Sequence, residues 1–97
     1  MKESQFQAEL IKDIRKLLGD EAVVMKVEAG YVQGIPDLFV LHNDKWAALE
    51  CKRSAKAPHR PNQDYYVEKL DGMSYAAFVY PENKEKILNE LQRSLRS

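Results

Sequence analysis

The segment GIPDLFVLHNDKWAALECK, residues 34–52, contains two short apolar runs joined by a polar connection. The runs extend from Asp37 to His42 and from Trp46 to Lys52, and Asn43-Asp44-Lys45 lies between them. Two runs of this length separated by a few turn-forming residues are typical of a β-hairpin. We therefore predict two antiparallel strands that are neighbours in a sheet.

The hairpin carries one acidic and one basic side chain on the same face of its second strand. Glu50 and Lys52 are two residues apart, so both leave the same face of the strand, with their α-carbons roughly 7 Å apart, while Cys51 points into the core. Asp37 begins the first strand after the Gly34-Ile35-Pro36 bend, and strand pairing brings it near Glu50. Two converging carboxylates suit a hard divalent cation such as Mg²⁺.

A metal beside an amine is suited to phosphodiester cleavage, which needs an attacking hydroxide, neutralised phosphate charge and a stabilised leaving oxygen. Lys52 would orient or deprotonate the attacking water, or offset the phosphate charge, and the sequence leaves these roles open. Taken singly, Pro-Asp is a common strand opener and Glu-x-Lys is often an exposed strand face. The prediction depends on their combination on adjacent strands.

The regions on both sides of the hairpin carry apolar spacing typical of helices and strands. The predicted elements are a helix over 3–18, a strand over 22–28, the hairpin, a helix from Pro61 to Gly72, a strand over 75–80 and a last helix opened by Pro81. The order α-β-β-β-α-β-α predicts an α/β fold with a central mixed four-stranded sheet flanked by helices. No linker or repeat interrupts it, so we expect one domain, 1–97.

The first predicted helix carries polar residues on its apolar side. With Ile14 at the centre of the apolar stripe, Glu3 and Gln7 fall within roughly 20° of that centre at 100° per residue. Glu9 falls on the far side and should face solvent. Glu3 and Gln7 are therefore expected on the inward face, although the helix dipole also favours an acidic residue at a helix N-terminus such as Glu3.

Charge and composition restrict the classes of function. The 15 basic and 15 acidic residues cancel, so the overall charge gives no indication of a nucleic-acid binder. The stretch KRSAKAPHR, residues 52–60, has no acidic residue and is either a solvated loop or a local basic strip. Cys51 is the only cysteine, which excludes an internal disulfide and suits a reducing cytoplasm. No segment approaches the roughly 20 apolar residues that span a bilayer.

The hairpin segment, with ESQFQ before it and RPNQ after it, resembles the VRR-NUC branch of the PD-(D/E)XK nuclease superfamily over nearly the entire chain. In that branch a helix with an early Glu and a nearby Gln precedes a Gly-x-Pro-Asp strand, a Glu-x-Lys strand and a helix that starts near a Gln. The matching positions are Glu3, Gln7, Asp37, Glu50, Lys52 and Gln63. The predicted order of elements is also similar to that of the family.

The resemblance implies a restriction-endonuclease-like core and cleavage of DNA with Mg²⁺ or Mn²⁺. The implied metal ligands are Asp37, Glu50, the Cys51 backbone carbonyl and, through a water, Glu3. Lys52 would act on the water, and Gln63 would support the site. The expected DNA contacts are Gln7, Lys26, Arg53, Lys56, His59 and Arg60. Two features depart from the family: Lys26 and Val27 stand where arginine is frequent, and the net charge is low.

Stand-alone members of this size resemble phage-encoded enzymes that act as homodimers on branched DNA, including Holliday junctions. The implied function is a structure-selective endonuclease in the cytoplasm of a bacterial or phage-infected cell. Tyr65, Tyr66, Met73 and Tyr75 are candidates for the subunit contact, with core packing as the alternative for at least half of them. Two other functions stay open: a nuclease-fold module that binds DNA or protein without cutting, and a base-specific enzyme, which would need contacts to base edges.

Overall fold

A computed structural model describes residues 1–28 and 30–96. Its elements are α1 (Glu3–Leu18), β1 (Ala22–Lys26), β2 (Leu38–His42), β3 (Lys45–Cys51), α2 (Gln63–Met73), β4 (Tyr75–Val79), a 3₁₀ turn (Pro81–Asn83) and α3 (Lys84–Arg96). The predicted order α-β-β-β-α-β-α is confirmed. Within the described residues, no helix has both the length and the apolar character needed to cross a membrane.

The four strands form one mixed sheet in the order β1-β2-β3-β4. β1 pairs antiparallel with β2, and β2 pairs antiparallel with β3, so that Leu38 lies opposite Leu49. β3 pairs parallel with β4, with Glu50 opposite Phe78. A parallel pair needs a crossover connection, and α2 provides it. β3 is therefore an interior strand with a partner on each side.

The helices divide the apolar residues between the two faces of the sheet. On one face, α1 and α3 pack against the strands through Phe6, Leu10, Ile14, Leu18, Ile87, Leu91 and Leu95. On the other face, Val67 of α2 packs against Ala48 and Ala76, with Phe39, Trp46, Leu70 and Phe78 around them. Because side chains alternate along a strand, Glu50 and Lys52 share the face of Ala48, beneath α2.

The end of β1 and the start of β2 differ slightly from the prediction. β1 ends at Lys26 and not at residue 28, and turns and bends occupy residues 30–34. One bond continues past the end of the strand, from the Val27 N–H to the Asp37 carbonyl at 2.8 Å. β2 begins at Leu38 and not at Asp37, whose carboxylate accepts the Cys51 N–H at 3.1 Å. The Asp37 carboxylate, which lies just before β2, thus accepts the last N–H of β3 in place of a backbone carbonyl.

The boundaries of the later elements also required correction. α2 begins at Gln63 and not at Pro61, because Asn62 takes a left-handed conformation with φ 73° that interrupts the helix. Gly72 lies inside α2 and does not end it, and the Ser74 N–H closes the last turn on the Leu70 carbonyl at 2.9 Å. The segment opened by Pro81 starts as a 3₁₀ turn before α3.

Candidate active site

Asp37, Glu50 and Lys52 meet at the end of the β2–β3 hairpin. Glu50 is 5% exposed and Lys52 is 6% exposed, both beneath the start of α2. Continuing the β2–β3 register by one step from Leu38 and Leu49 places Asp37 opposite Glu50. The structure therefore brings together the two carboxylates and the amine that the alternation of residues predicted. Cys51 is fully buried on the opposite side, in the larger core.

A cleft of about 890 Å³ opens over these residues. Of the predicted site residues, those that line it are Glu3, Asp37, Glu50, Lys52, Arg53, Arg60 and Gln63. The other predicted residues with described positions are not among its lining residues: Gln7, Lys26, Cys51, Lys56 and His59. Glu3 thus faces the site from the first turn of α1, while Glu9 is exposed, as predicted.

Gln63 connects the glutamate and the lysine. Its Nε2 donates to Glu50 Oε2 at 3.1 Å, and its Oε1 accepts from Lys52 Nζ at 2.7 Å. The same Oε1 accepts the Arg60 backbone N–H at 2.8 Å, and Lys52 Nζ also donates to the Pro58 carbonyl at 3.1 Å. Within the described residues Lys52 makes no ion pair with Glu50. The Gln63 amide therefore bridges the glutamate and the lysine, which do not pair directly.

The pKa values of both carboxyl groups are raised. Burial raises the pKa of Asp37 to about 6; the Cys51 N–H opposes this shift and the charge of Glu3 adds to it. Burial also raises the pKa of Glu50 to about 8; Asp37 adds to this shift, and the Lys52 ammonium opposes it. Two desolvated carboxylates that repel each other bind protons or a cation readily. The electrostatics of the cleft therefore favour a bound positive ion.

The donor set fits Mg²⁺ or Mn²⁺. Asp37 and Glu50 supply hard oxygen atoms, and Mg²⁺ in proteins is commonly bound by one or two carboxylates together with waters. The Cys51 N–H points to Asp37, and the carbonyl of a strand residue leaves the strand on the same side as its N–H. Within residues 1–28 and 30–96, no three His, Cys, Asp or Glu side chains are grouped closely enough to hold a metal. Glu3 lines the same cleft, and its role as a ligand through a water stays a prediction.

Besides Cys51, four further predicted site residues lie outside the cleft lining. Gln7 is half-buried on α1, Lys26 is exposed at the end of the edge strand β1, and Lys56 is exposed in the loop before α2. His59 stacks on Phe78 with ring centroids 4.1 Å apart. Of the basic residues in the 52–60 stretch, Lys52, Arg53 and Arg60 line the cleft and Lys56 does not.

Two functional groups were missed from the sequence, the Pro58 carbonyl and the Arg60 backbone N–H. Both hydrogen-bond to the side chains of the site, and neither depends on the identity of the residue's own side chain. Backbone groups leave no signature in a sequence. The nearest signal is the short spacing between Lys52 and Gln63, which obliges the connecting loop to fold back over the site.

Gly34 lies in close contact with Asn62, which the sequence did not reveal. It has φ +90°, and a Cβ there would lie 2.6 Å from Asn62 Cβ and 2.8 Å from the Asn62 carbonyl oxygen. The turn before Asp37 therefore rests directly on the residue before α2. Only glycine permits both this backbone conformation and this contact.

We expect Gly34→Ala to lower the free energy of unfolding by about 2–4 kcal/mol, from the left-handed backbone and the collision with Asn62. Urea denaturation measures the change. Gly72→Ala is the matched control, since a Cβ at Gly72 meets nothing within 4 Å. In a helix this control should stabilise by about 0.5–1 kcal/mol. Equal stability of Gly34→Ala and wild type would contradict the close contact.

Comparison with known proteins agrees with this architecture. The structure is similar to that of a VRR_NUC domain protein, with a TM-score of 0.70 and 18% sequence identity, over 99% of this chain and 89% of that one. The sequence matches no protein-family model and no curated protein. Similarity at this identity concerns the fold, and it confirms that the chain has the VRR-NUC fold.

Proposed function

We propose that the protein is a Mg²⁺- or Mn²⁺-dependent endodeoxyribonuclease of the VRR-NUC type that hydrolyses phosphodiester bonds in branched DNA, including Holliday junctions. The observation that carries the proposal is the meeting of Asp37, Glu50 and Lys52 in one cleft, linked through Gln63. The shared fold supports it. The expected setting is the cytoplasm of a bacterial or phage-infected cell.

Each residue has a distinct part in this reaction. Asp37, Glu50 and the Cys51 carbonyl hold the cation, which supplies a Lewis acid for the phosphate. The Lys52 ammonium offsets the charge that grows on the phosphate or orients the attacking water. Gln63 keeps this ammonium beside Glu50 and available to the substrate.

A panel of DNA substrates tests the proposal. Flap, four-way junction and linear duplex DNAs, each labelled on one strand, are incubated with the protein in Mg²⁺ and in EDTA. We expect nicks in the branched DNAs in Mg²⁺ and none in EDTA. Binding without any cleavage would favour the module that binds without cutting, and equal cleavage of linear and branched DNA would contradict selectivity for structure.

Of the residues predicted to contact DNA, Arg53 and Arg60 are best placed to reach a phosphate, because both line the cleft. We expect Arg53→Ala and Arg60→Ala each to weaken DNA binding on the order of tenfold at low salt and to reduce the slope of log K against log salt by about one. Fluorescence anisotropy across a salt series measures both quantities. Lys12→Ala, exposed on α1, is the control. An unchanged slope in both arginine variants would contradict these contacts.

A homodimer belongs to the proposal, because symmetric cutting of a junction needs two active sites related by a two-fold axis. Tyr65 and Met73 are 56% and 66% exposed on α2 and stay candidates for the subunit contact. Tyr75 fits the alternative of core packing, because it is half-buried, packs against the larger core and donates to Glu90 at 2.7 Å.

We expect sedimentation equilibrium to give twice the monomer mass, and Met73→Glu to shift the protein to monomer. Glu68→Gln, at an exposed position of the same helix, is the control and should leave the dimer intact. A wild-type protein that stays monomeric at tens of micromolar would exclude the dimer.

A further inference from the structure

We infer that His59 is a positioning residue, which holds Lys52 and Gln63 in their working geometry and does not contact DNA. The inference rests on the proposed nuclease function. It replaces the sequence-based expectation that His59 is one of the DNA-binding residues.

The His59 ring is fixed by two different elements of the fold. Its Nδ1 lies 2.7 Å from Asp64 Oδ1, in the first turn of α2. Its face stacks on Phe78 of β4, with centroids 4.1 Å apart and an angle of 17° between the ring planes. Phe78 is also the register partner of Glu50 on β3. His59 therefore fastens the loop before α2 both to that helix and to the strand beside the site.

The backbone groups on either side of His59 are the ones that hold the site's side chains. The Pro58 carbonyl accepts from Lys52 Nζ at 3.1 Å, and the Arg60 N–H donates to Gln63 Oε1 at 2.8 Å. Residues 53–62 contain no helix or strand, so no regular hydrogen-bond ladder fixes them. The Ala55 N–H also ties this loop to the Glu82 carboxylate. The anchored ring of His59 is the contact adjacent in sequence to the two backbone groups, and we infer that it sets where they lie.

The surroundings of His59 are unfavourable for a phosphate contact. Nδ1 is engaged by Asp64, an exposed carboxylate that repels phosphate, and one ring face is covered by Phe78. Of the described residues, Pro58 and Arg60 line the cleft and His59 does not. The His59 side chain thus contributes nothing to the cleft lining, whereas the backbone groups of its two neighbours bond to side chains that line it.

Release of the ring has a specific consequence for Lys52. If the loop moves, the Lys52 ammonium loses the Pro58 carbonyl, and the Gln63 amide loses the Arg60 N–H. The Glu50 carboxylate is then a nearby alternative partner for the ammonium. Such a pair would withdraw Lys52 from the substrate and compete for a metal ligand. Loss of His59 should thus slow the chemical step and leave DNA binding intact.

The test compares variants that remove or restore the anchor. In single-turnover cleavage with protein in excess, His59→Ala and Asp64→Ala should lower the rate constant on the order of 10- to 100-fold, as misplacement of a reacting group does. The dissociation constant for DNA without Mg²⁺ should stay within about twofold, since no phosphate contact is lost. His59→Asn places an amide nitrogen where Nδ1 was and should recover part of the rate. Glu68→Ala, which removes an exposed carboxylate of the same helix, is the control.

A second readout does not require cleavage. In a ¹H–¹⁵N spectrum, the side-chain amide of Gln63 should shift or broaden in His59→Ala and return toward its wild-type position in His59→Asn. An unmoved Gln63 amide, or a weaker DNA affinity with an unchanged rate constant, would overturn the positioning role. A wild-type protein that cuts no DNA while His59→Ala still displaces the Gln63 amide would overturn the nuclease function alone.

Discussion

Lys52→Met lowers the single-turnover rate of DNA cleavage on the order of 10²–10⁴-fold, the range found when a charged group acts on the transition state. Methionine has a similar length and fills the space of a side chain that is 6% exposed, so the fold should persist. The variant lacks the ammonium that Gln63 and the Pro58 carbonyl hold in the cleft. Quenched-flow or gel assays on a labelled junction measure the rate.

Lys45→Met is the matched control, because Lys45 begins β3, the strand that Lys52 directly follows. It should cleave at the wild-type rate. Mg²⁺ affinity, measured by calorimetry, should not decrease in Lys52→Met, since a nearby positive charge is removed and the carboxylates stay. Cleavage by Lys52→Met at the rate of the control would exclude a role for Lys52 in the reaction.

The hairpin and its charged residues were predictable because their signals are local. Alternation along a strand needs only a few residues, and it placed Glu50 and Lys52 on one face and Cys51 on the other, as the structure has them. A short polar connection fixed the antiparallel pairing, which brings Asp37 beside Glu50. Gln63 was identified by the resemblance, since no local pattern points to it.

Other parts of the site depend on contacts that are distant in sequence. The stack of His59 on Phe78 joins residues whose separation and types carry no pattern. Residues 53–62 form no helix or strand, so no repeat gives the direction of their side chains, and composition alone could not separate Arg53 and Arg60 from Lys56. The start of α2 was misplaced for the same reason: the left-handed Asn62 is fixed by its contact with Gly34.

Stability and metal binding should depend on pH in opposite directions. The pKa values of Asp37 and Glu50 are raised to about 6 and about 8, from 3.8 and 4.5. At pH values between the ordinary and the raised pKa of each group, the folded metal-free protein therefore binds more protons than the unfolded chain. This contribution to stability is complete below pH 4 and is lost as pH rises through 6 and 8. Mg²⁺ needs the ionised carboxylates, so its affinity should increase over the same interval.

In urea denaturation with EDTA, we expect the free energy of unfolding to fall on the order of 2–4 kcal/mol between pH 5 and pH 8.5. With 10 mM Mg²⁺ the fall should be largely offset. The double variant Asp37→Asn, Glu50→Gln keeps acceptors for the Cys51 N–H and for Gln63 Nε2 while removing both charges. Its stability should therefore lose this pH dependence and no longer respond to Mg²⁺. If the free energy of unfolding changes equally with pH in the double variant and in wild type, other groups cause the change. If Mg²⁺ does not change the stability of wild type at pH 8.5, the metal site is excluded.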